Sequence, residues 1–191
     1  MIRHLPDFYT EPQMVALACS PNPKTRKGIR DRAMLGVLCA TGLRASELCN
    51  LLVSDVQPSL IFVRCGKGGK QRYVPVSRRC LQAIQRYLAV HPAGRSDRLF
   101  RTLAGQPVSR RLLHKLVTRY SRRLGLKGGV HTIRSSAATR WLNRGIDLQM
   151  VRAMLGHESI TSTAVYLGVA TDQLVRVYQR AVEGGVVGVG A

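Results

Sequence analysis

The sequence predicts a mainly α-helical domain carrying one small antiparallel sheet. Two observations set this reading. Apolar residues recur at helical spacing through most of the chain, in segments bounded by recognisable caps and glycine stops. Around residues 60–76 the period changes to β-rich runs. Size agrees: 191 residues, 45% of them hydrophobic, suffice for one core rather than two. Aromatic residues make up only 5%, so that core is built mostly from Leu, Val, Ala and Ile.

The elements follow in order. Thr10-Glu11-Pro12 has the form of a helix start, with Thr10 as cap and Pro12 in the first turn. Residues 29–40, "IRDRAMLGVLCA", carry apolar side chains at helical spacing, and Thr41-Gly42 stops them. A short helix, "SELCNLL", begins around Ala45. The runs "LIFVRC" (60–65) and "QRYVPV" (71–76) flank "GKGGK", which predicts a hairpin with a basic, glycine-rich tip. Pro75 argues for an edge position. Ser77 caps a helix over about 78–90, and helical pattern returns at 108–124. A helix at 132–144 ends at Gly145. Asp147 then caps "LQMVRAML", which Gly156 ends. Ser159 caps a short helix containing Tyr166, and a last helix covers about 172–182. The glycine-rich run 183–191 predicts a flexible tail.

Charge narrows the function. Thirty Lys and Arg stand against ten Asp and Glu, a formal charge of +20. A compact domain so unbalanced gathers polyanions, and double-stranded DNA is the first partner to expect. The chain has no apolar run of the ~20 residues needed to span a bilayer, and "MIRHLPDFYTEP" lacks a signal-peptide core. A cytoplasmic protein without membrane contact is the expectation. Five cysteines without a C-x-x-C pair read as buried reduced thiols, with no metal site. From Arg101 to Lys127 run eight basic residues and no acid: Arg101, Arg110, Arg111, Lys115, Arg119, Arg122, Arg123 and Lys127. That exceeds what solubility needs and predicts a face that tracks phosphates.

Several scattered residues stand out as chemistry. Arg44 sits in "ATGLRASEL", just after a helix-ending glycine. Lys67 and Lys70 lie at the hairpin tip. His131 and Arg134, three apart in "HTIRSS", project from one side of a helix start. His157 follows a helix C-terminus, and Tyr166 stands nine positions later in a chain with few aromatics. Taken singly, a surface arginine, a soluble turn, a polar first turn and a packing tyrosine explain each one. Together they form a set suited to phosphodiester chemistry. Arginine grips nonbridging oxygens in a planar fork and stabilises charge on pentavalent phosphorus. Lysine can protonate a leaving oxygen. A tyrosine, with a pKa of about 10, becomes a nucleophile when cations favour its phenolate. The recipe requires neither metal nor cofactor.

In this order and spacing, "TGLRASEL", "GKGGKQRYVPV", "HTIRSSAAT", "MLGH" and "TAVY" resemble the catalytic domain of the tyrosine recombinases, the phage-integrase family that includes Xer-type and integron integrases. The resemblance spans about residues 8–180. It implies a mainly α fold with a small three-stranded antiparallel sheet. It implies site-specific DNA recombination through a 3′-phosphotyrosyl intermediate, with catalytic Arg44, Lys67, His131, Arg134, His157 and Tyr166, and Glu47 supporting the Arg44 corner. Lys70 and Arg72 match the family's basic turn and join the DNA-binding set with Arg110, Arg111, Lys115, Arg119, Arg122 and Arg123. The nearest alternatives are a type IB topoisomerase-like enzyme and a DNA-binding regulator that no longer cuts. Tyr178, in "QLVRVYQR", is the rival tyrosine, but it belongs to an apolar stripe with Leu174, Val175 and Val177.

Two departures from the family pattern matter. Ser135 and Ala137 stand where the box often continues His and Phe. Residues 1–182 are expected to be a single catalytic domain without the family's N-terminal DNA-clamping domain, either excised from a longer protein or naturally minimal. The resemblance further implies a tetramer on DNA, with the helix around Asp172–Val182 docking on a neighbour, and a monomer without DNA.

Overall fold

The structure is a computed structural model that describes residues 8–64, 71–156 and 169–182. Its centre is α2 (Arg26–Thr41), against which α1 (Glu11–Cys19), α4 (Arg78–Val90) and α6 (Val130–Asn143) all pack. The middle of α2 supplies Met34, Leu35, Val37 and Leu38, each fully buried. Trp141 of α6 and Tyr87 of α4 are the largest residues closing on it. The short α3 (Ala45–Asn50) rests on α5 (Arg110–Arg123), and α7 (Leu148–Leu155) rests on α6 and the sheet.

Local chemistry explains the boundaries. At α1, the Thr10 hydroxyl accepts from the Gln13 amide while the Gln13 side chain accepts from the Thr10 amide at 2.8 Å. Ser77, Ser109 and Asp147 cap α4, α5 and α7 through their side-chain oxygens. Helix α2 ends on Gly42 at φ 58°, and a Cβ there would lie 3.2 Å from both Ala137 Cβ and Leu155 Cδ2. Glycine therefore answers two demands at once, the left-handed turn and the close approach of α6 and α7.

The sheet is smaller than expected. Among the described residues it has two strands, β1 (Leu60–Val63) and β2 (Arg72–Pro75), antiparallel with Leu60 opposite Pro75. Before β1 the chain makes a 3₁₀ turn at Val53–Asp55, closed where the Asp55 carboxylate accepts from the Leu52 amide at 2.9 Å. Val56 then makes a single bridge to Ile61, and the Gln57 amide bonds back to the Leu60 carbonyl around Pro58. The chain reverses too soon for a ladder to grow, and Pro58 has no N–H to contribute.

The last helix, α8 (Val169–Val182), starts about three residues earlier than the sequence predicts and packs against β2. Tyr178 is 1% exposed within the core, the packing role its apolar stripe implies. Arg144 donates to the carbonyls of Ala181 and Val182, holding the end of α8 to its own chain. Cys39, Cys49 and Cys80 are buried free thiols and Cys19 is an exposed one. Burial pushes the Cys39 and Cys80 thiols up to about 12, so both stay protonated and inert. No helix among the described residues is long and apolar enough to cross a membrane.

Candidate active site

Three arginines converge on the C-terminal end of α7. Arg72, from β2, donates its Nε to the Met154 carbonyl at 2.8 Å. Arg134, from α6, donates to the Leu155 carbonyl at 2.6 Å. Arg44, at the corner between α2 and α3, donates to the Gly156 carbonyl at 3.3 Å. These three consecutive carbonyls lie where a helix leaves acceptors without intrahelical partners and its dipole is negative. Cations from three separate elements satisfy them in sequence.

One carboxylate completes the cluster. Glu47, the third residue of α3, accepts from the Arg44 amide at 2.8 Å and from Arg44 Nη1 at 3.0 Å. Its two oxygens also take Nη1 and Nη2 of Arg72, both at 2.9 Å. Burial alone would push this carboxyl up. The hydrogen bonds and charge of Arg72, followed by those of Arg44, outweigh that and hold it below the ordinary range. Arg134 makes a second backbone bond, to the Gly42 carbonyl at 2.8 Å, which fixes α6 to the corner beside Arg44. Burial, reinforced by the neighbouring Arg44 charge, lowers its guanidinium to about 10, still charged at neutral pH.

The sequence-predicted residues divide into three groups. Arg44, Glu47 and Arg134 are brought together. His131 is exposed in the first turn of α6, one turn ahead of Arg134. Lys67, Lys70, His157 and Tyr166 lie outside the described residues. The described chain reaches Arg64 on one side of the hairpin tip and Gln71 on the other, and it stops at Gly156, the residue before His157.

Arg72 is placed differently from a surface DNA contact. Its side chain is only 10% exposed, and all three of its nitrogens donate to Glu47 or Met154. Gly156, at φ 66°, lets the backbone pass over it: a Cβ there would fall 2.9 Å from Arg72 Nη1.

On α5, Arg110, Arg111, Lys115, Arg122 and Arg123 are exposed. Arg111, His114, Lys115, Thr118, Arg119, Arg122 and Arg123 line one open groove. Arg119 belongs partly to the fold, because it pairs with the fully buried Asp31 at 3.3 Å. Asp31 also accepts from the Tyr120 hydroxyl at 3.1 Å and from Arg30 at 2.7 and 3.0 Å. The segment is free of acids in sequence, yet in space a carboxylate from α2 sits beneath it. That acid is legible only as the one Asp inside the basic, apolar run "IRDRAML". Arg101 likewise pairs with Asp97, at 3.7 Å.

Comparison with known proteins identifies the family. The phage integrase family model matches residues 8–173. The tyrosine recombinase XerC of Staphylococcus epidermidis is 34% identical over 185 residues, covering 94% of this chain and 62% of the relative. The tyrosine recombinase XerD of Halalkalibacterium halodurans is 35% identical over 184 residues, covering 92% and 62%. The chain thus spans somewhat under two thirds of the length of these relatives. A crystal structure of XerA recombinase superposes with a TM-score of 0.71 at 25% identity, covering 99% of this chain and 66% of that one. The mainly helical fold with its small antiparallel sheet is that of tyrosine recombinase catalytic domains. The family model leaves out only the two ends of the sequence, and the chain therefore belongs to the phage integrase family.

Proposed function

We propose that this chain is the catalytic domain of a site-specific DNA recombinase that cuts and rejoins strands through Tyr166. The observation that carries the reading is the pair Arg44 and Arg134, held on the consecutive carbonyls of Gly156 and Leu155 at the end of α7, with Arg44 also bonded to the Glu47 carboxylate. Two guanidinium groups fixed in this way suit the nonbridging oxygens of a phosphodiester. Because the fold orients them beforehand, they can stabilise the pentavalent phosphorus without reorganising.

In the proposed reaction the Tyr166 phenolate attacks the scissile phosphorus and the bond from phosphorus to the 5′-oxygen breaks. Lys67 gives its proton to that oxygen, leaving a 5′-hydroxyl and a 3′-phosphotyrosyl bond. His131 assists proton transfer and His157 contacts the phosphate. Attack by the 5′-hydroxyl of a partner strand reverses the step and releases Tyr166. The phosphodiester energy is kept in the phosphotyrosine. The exposed cations of α5, together with Lys70, bind the DNA backbone. The same reading includes a tetramer on DNA and a monomer without it, with α8 docked on its own chain until a neighbour is present.

The test is a nicked suicide duplex carrying the site selected from random-sequence double-stranded DNA. The wild-type chain should leave a covalent adduct that maps to Tyr166 by mass spectrometry. Tyr166→Phe should bind the same duplex and leave none. An adduct mapped to Tyr178 would overturn the assignment, and binding without any adduct would make the chain a non-cutting regulator.

A further inference from the structure

We propose that Arg72 is a positioning residue for strand cleavage, locking the Glu47 carboxylate and through it Arg44, while tying the hairpin to the end of α7. The inference rests on the reading above and deepens it.

Glu47 lies between two arginines of different character. Arg44 keeps 29% of its side chain exposed, whereas Arg72 keeps 10%. Of the two, Arg44 is the one open to a ligand. Arg72 meets the carboxylate through two parallel bonds of 2.9 Å, and such a fork fixes the plane of its partner as well as its position. With that plane set, Oε2 faces the Arg44 amide and Oε1 faces Arg44 Nη1. The orientation of the phosphate-gripping arginine is therefore inherited from the buried one.

The remaining nitrogen of Arg72 performs a second task. Its bond to the Met154 carbonyl crosses 82 residues of sequence and joins β2 to α7. In sequence β2 begins after Lys67, and α7 ends before His157. One side chain thus ties β2 to the end of α7 while it holds Glu47. Gly156 permits this close passage, since any larger residue there would meet the guanidinium.

The charges facing Glu47 are Arg44 from the corner, Arg72 from β2 and Arg134 from α6. Burial raises the carboxyl, and Arg72 contributes most to overriding it. Without Arg72, burial regains ground. Glu47 then takes a proton at a higher pH, and Arg44 loses its anchor as it does so.

The experiment measures single-turnover adduct formation on the nicked duplex described above, alongside binding affinity and its salt dependence. Arg72→Gln should cut about 100-fold more slowly, the scale of a displacement of about 1 Å at a reacting centre. Affinity should stay within about twofold and the salt slope should not change. Cleavage should decline at a higher pH than in the wild type, and adding Glu47→Gln should leave a slow rate without that acid limb. A merely structural role would not create a titration that a second substitution removes. If Arg72→Gln does not fold, as judged by circular dichroism, Arg72→Lys keeps the charge and loses the paired geometry at Glu47 and the Nε bond to Met154. It should also slow cleavage at unchanged affinity. Wild-type cleavage rates in the folded variant overturn the proposal. So does weakened binding with a salt slope lower by about one, which would make Arg72 a phosphate contact. Absence of any adduct from the wild-type chain removes the recombinase reading and this inference with it.

Discussion

Asp31 offers a test of the scaffold that does not depend on DNA. It is fully buried in α2, and Arg30 beside it is 4% exposed. Both bonds from Arg30, at 3.0 and 2.7 Å, go to one carboxylate oxygen, while the Tyr120 hydroxyl and Arg119 take the other. Asp31→Asn keeps the shape and removes the charge, leaving a buried guanidinium opposite an amide. Breaking a buried pair from one side costs about 3–5 kcal/mol. For a domain of this size each kcal/mol moves Tm by roughly 2–4 °C, so the midpoint should fall by about 6–20 °C. Arg119→Gln makes the contrast. Its side chain is 39% exposed, the pair is longer, and the loss should stay below about 1 kcal/mol. Urea titration with linear extrapolation, supported by thermal melts, reads both variants. Replacing Arg30 with Met and Asp31 with Leu together should recover most of the loss, because an apolar pair needs no counter-charge. Asp31→Asn within about 1 kcal/mol of wild type would refute the reasoning. So would an equal cost from Arg119→Gln, which would mean that the carboxylate serves the surface arginine instead.

Two further predictions follow from the site and the basic face. Glu47 has a folded pKa below its ordinary value of 4.5, so its stabilisation is present above that value and lost as pH falls through the folded one. Glu47→Gln should therefore be clearly less stable near about pH 7 and converge on the wild type in acid; a gap that stayed constant down to about pH 3 would contradict the assigned ion pairs. Replacing Arg111, Lys115 and Arg122 together with Gln should weaken binding to all DNA sequences alike and lower the salt slope by about 0.9 for each phosphate no longer neutralised, whereas an unchanged slope would return α5 to a solvated face.

What the sequence made legible was local. Thr10, Ser77 and Asp147 act on amides two or three residues away, and Gly42 and Gly156 end helices through their own backbone angles. Such signals survive in a linear string. Arg44 stood out because it follows the helix-ending Gly42, and His131 and Arg134 because they share one helix start, whereas Glu47 came only from the family resemblance. Distance in sequence hid the rest. Arg72 has the look of a hairpin cation because its partners are Glu47, 25 residues before it, and Met154, 82 after it. Arg119 belongs to an acid-free run because its carboxylate comes from 88 residues upstream. The sheet has two strands among the described residues, not the three that the resemblance implied, and beside it only the single Val56–Ile61 bridge forms, where Asp55 closes a local turn instead.

The three carbonyls of Met154, Leu155 and Gly156 also make the arginine cluster a single mechanical part. Arg72, Arg134 and Arg44 hang from one rigid helix end, so a tilt of α7 is transmitted to all three at once. None can be re-aimed alone without breaking a bond to that end. The lever is seated in the core: the side chains of Val151 and Met154, both buried, set the height at which the helix rests. A change of one methylene there acts on phosphate geometry as a shim acts on a bearing, through position alone, with every charged group still in its original bonds.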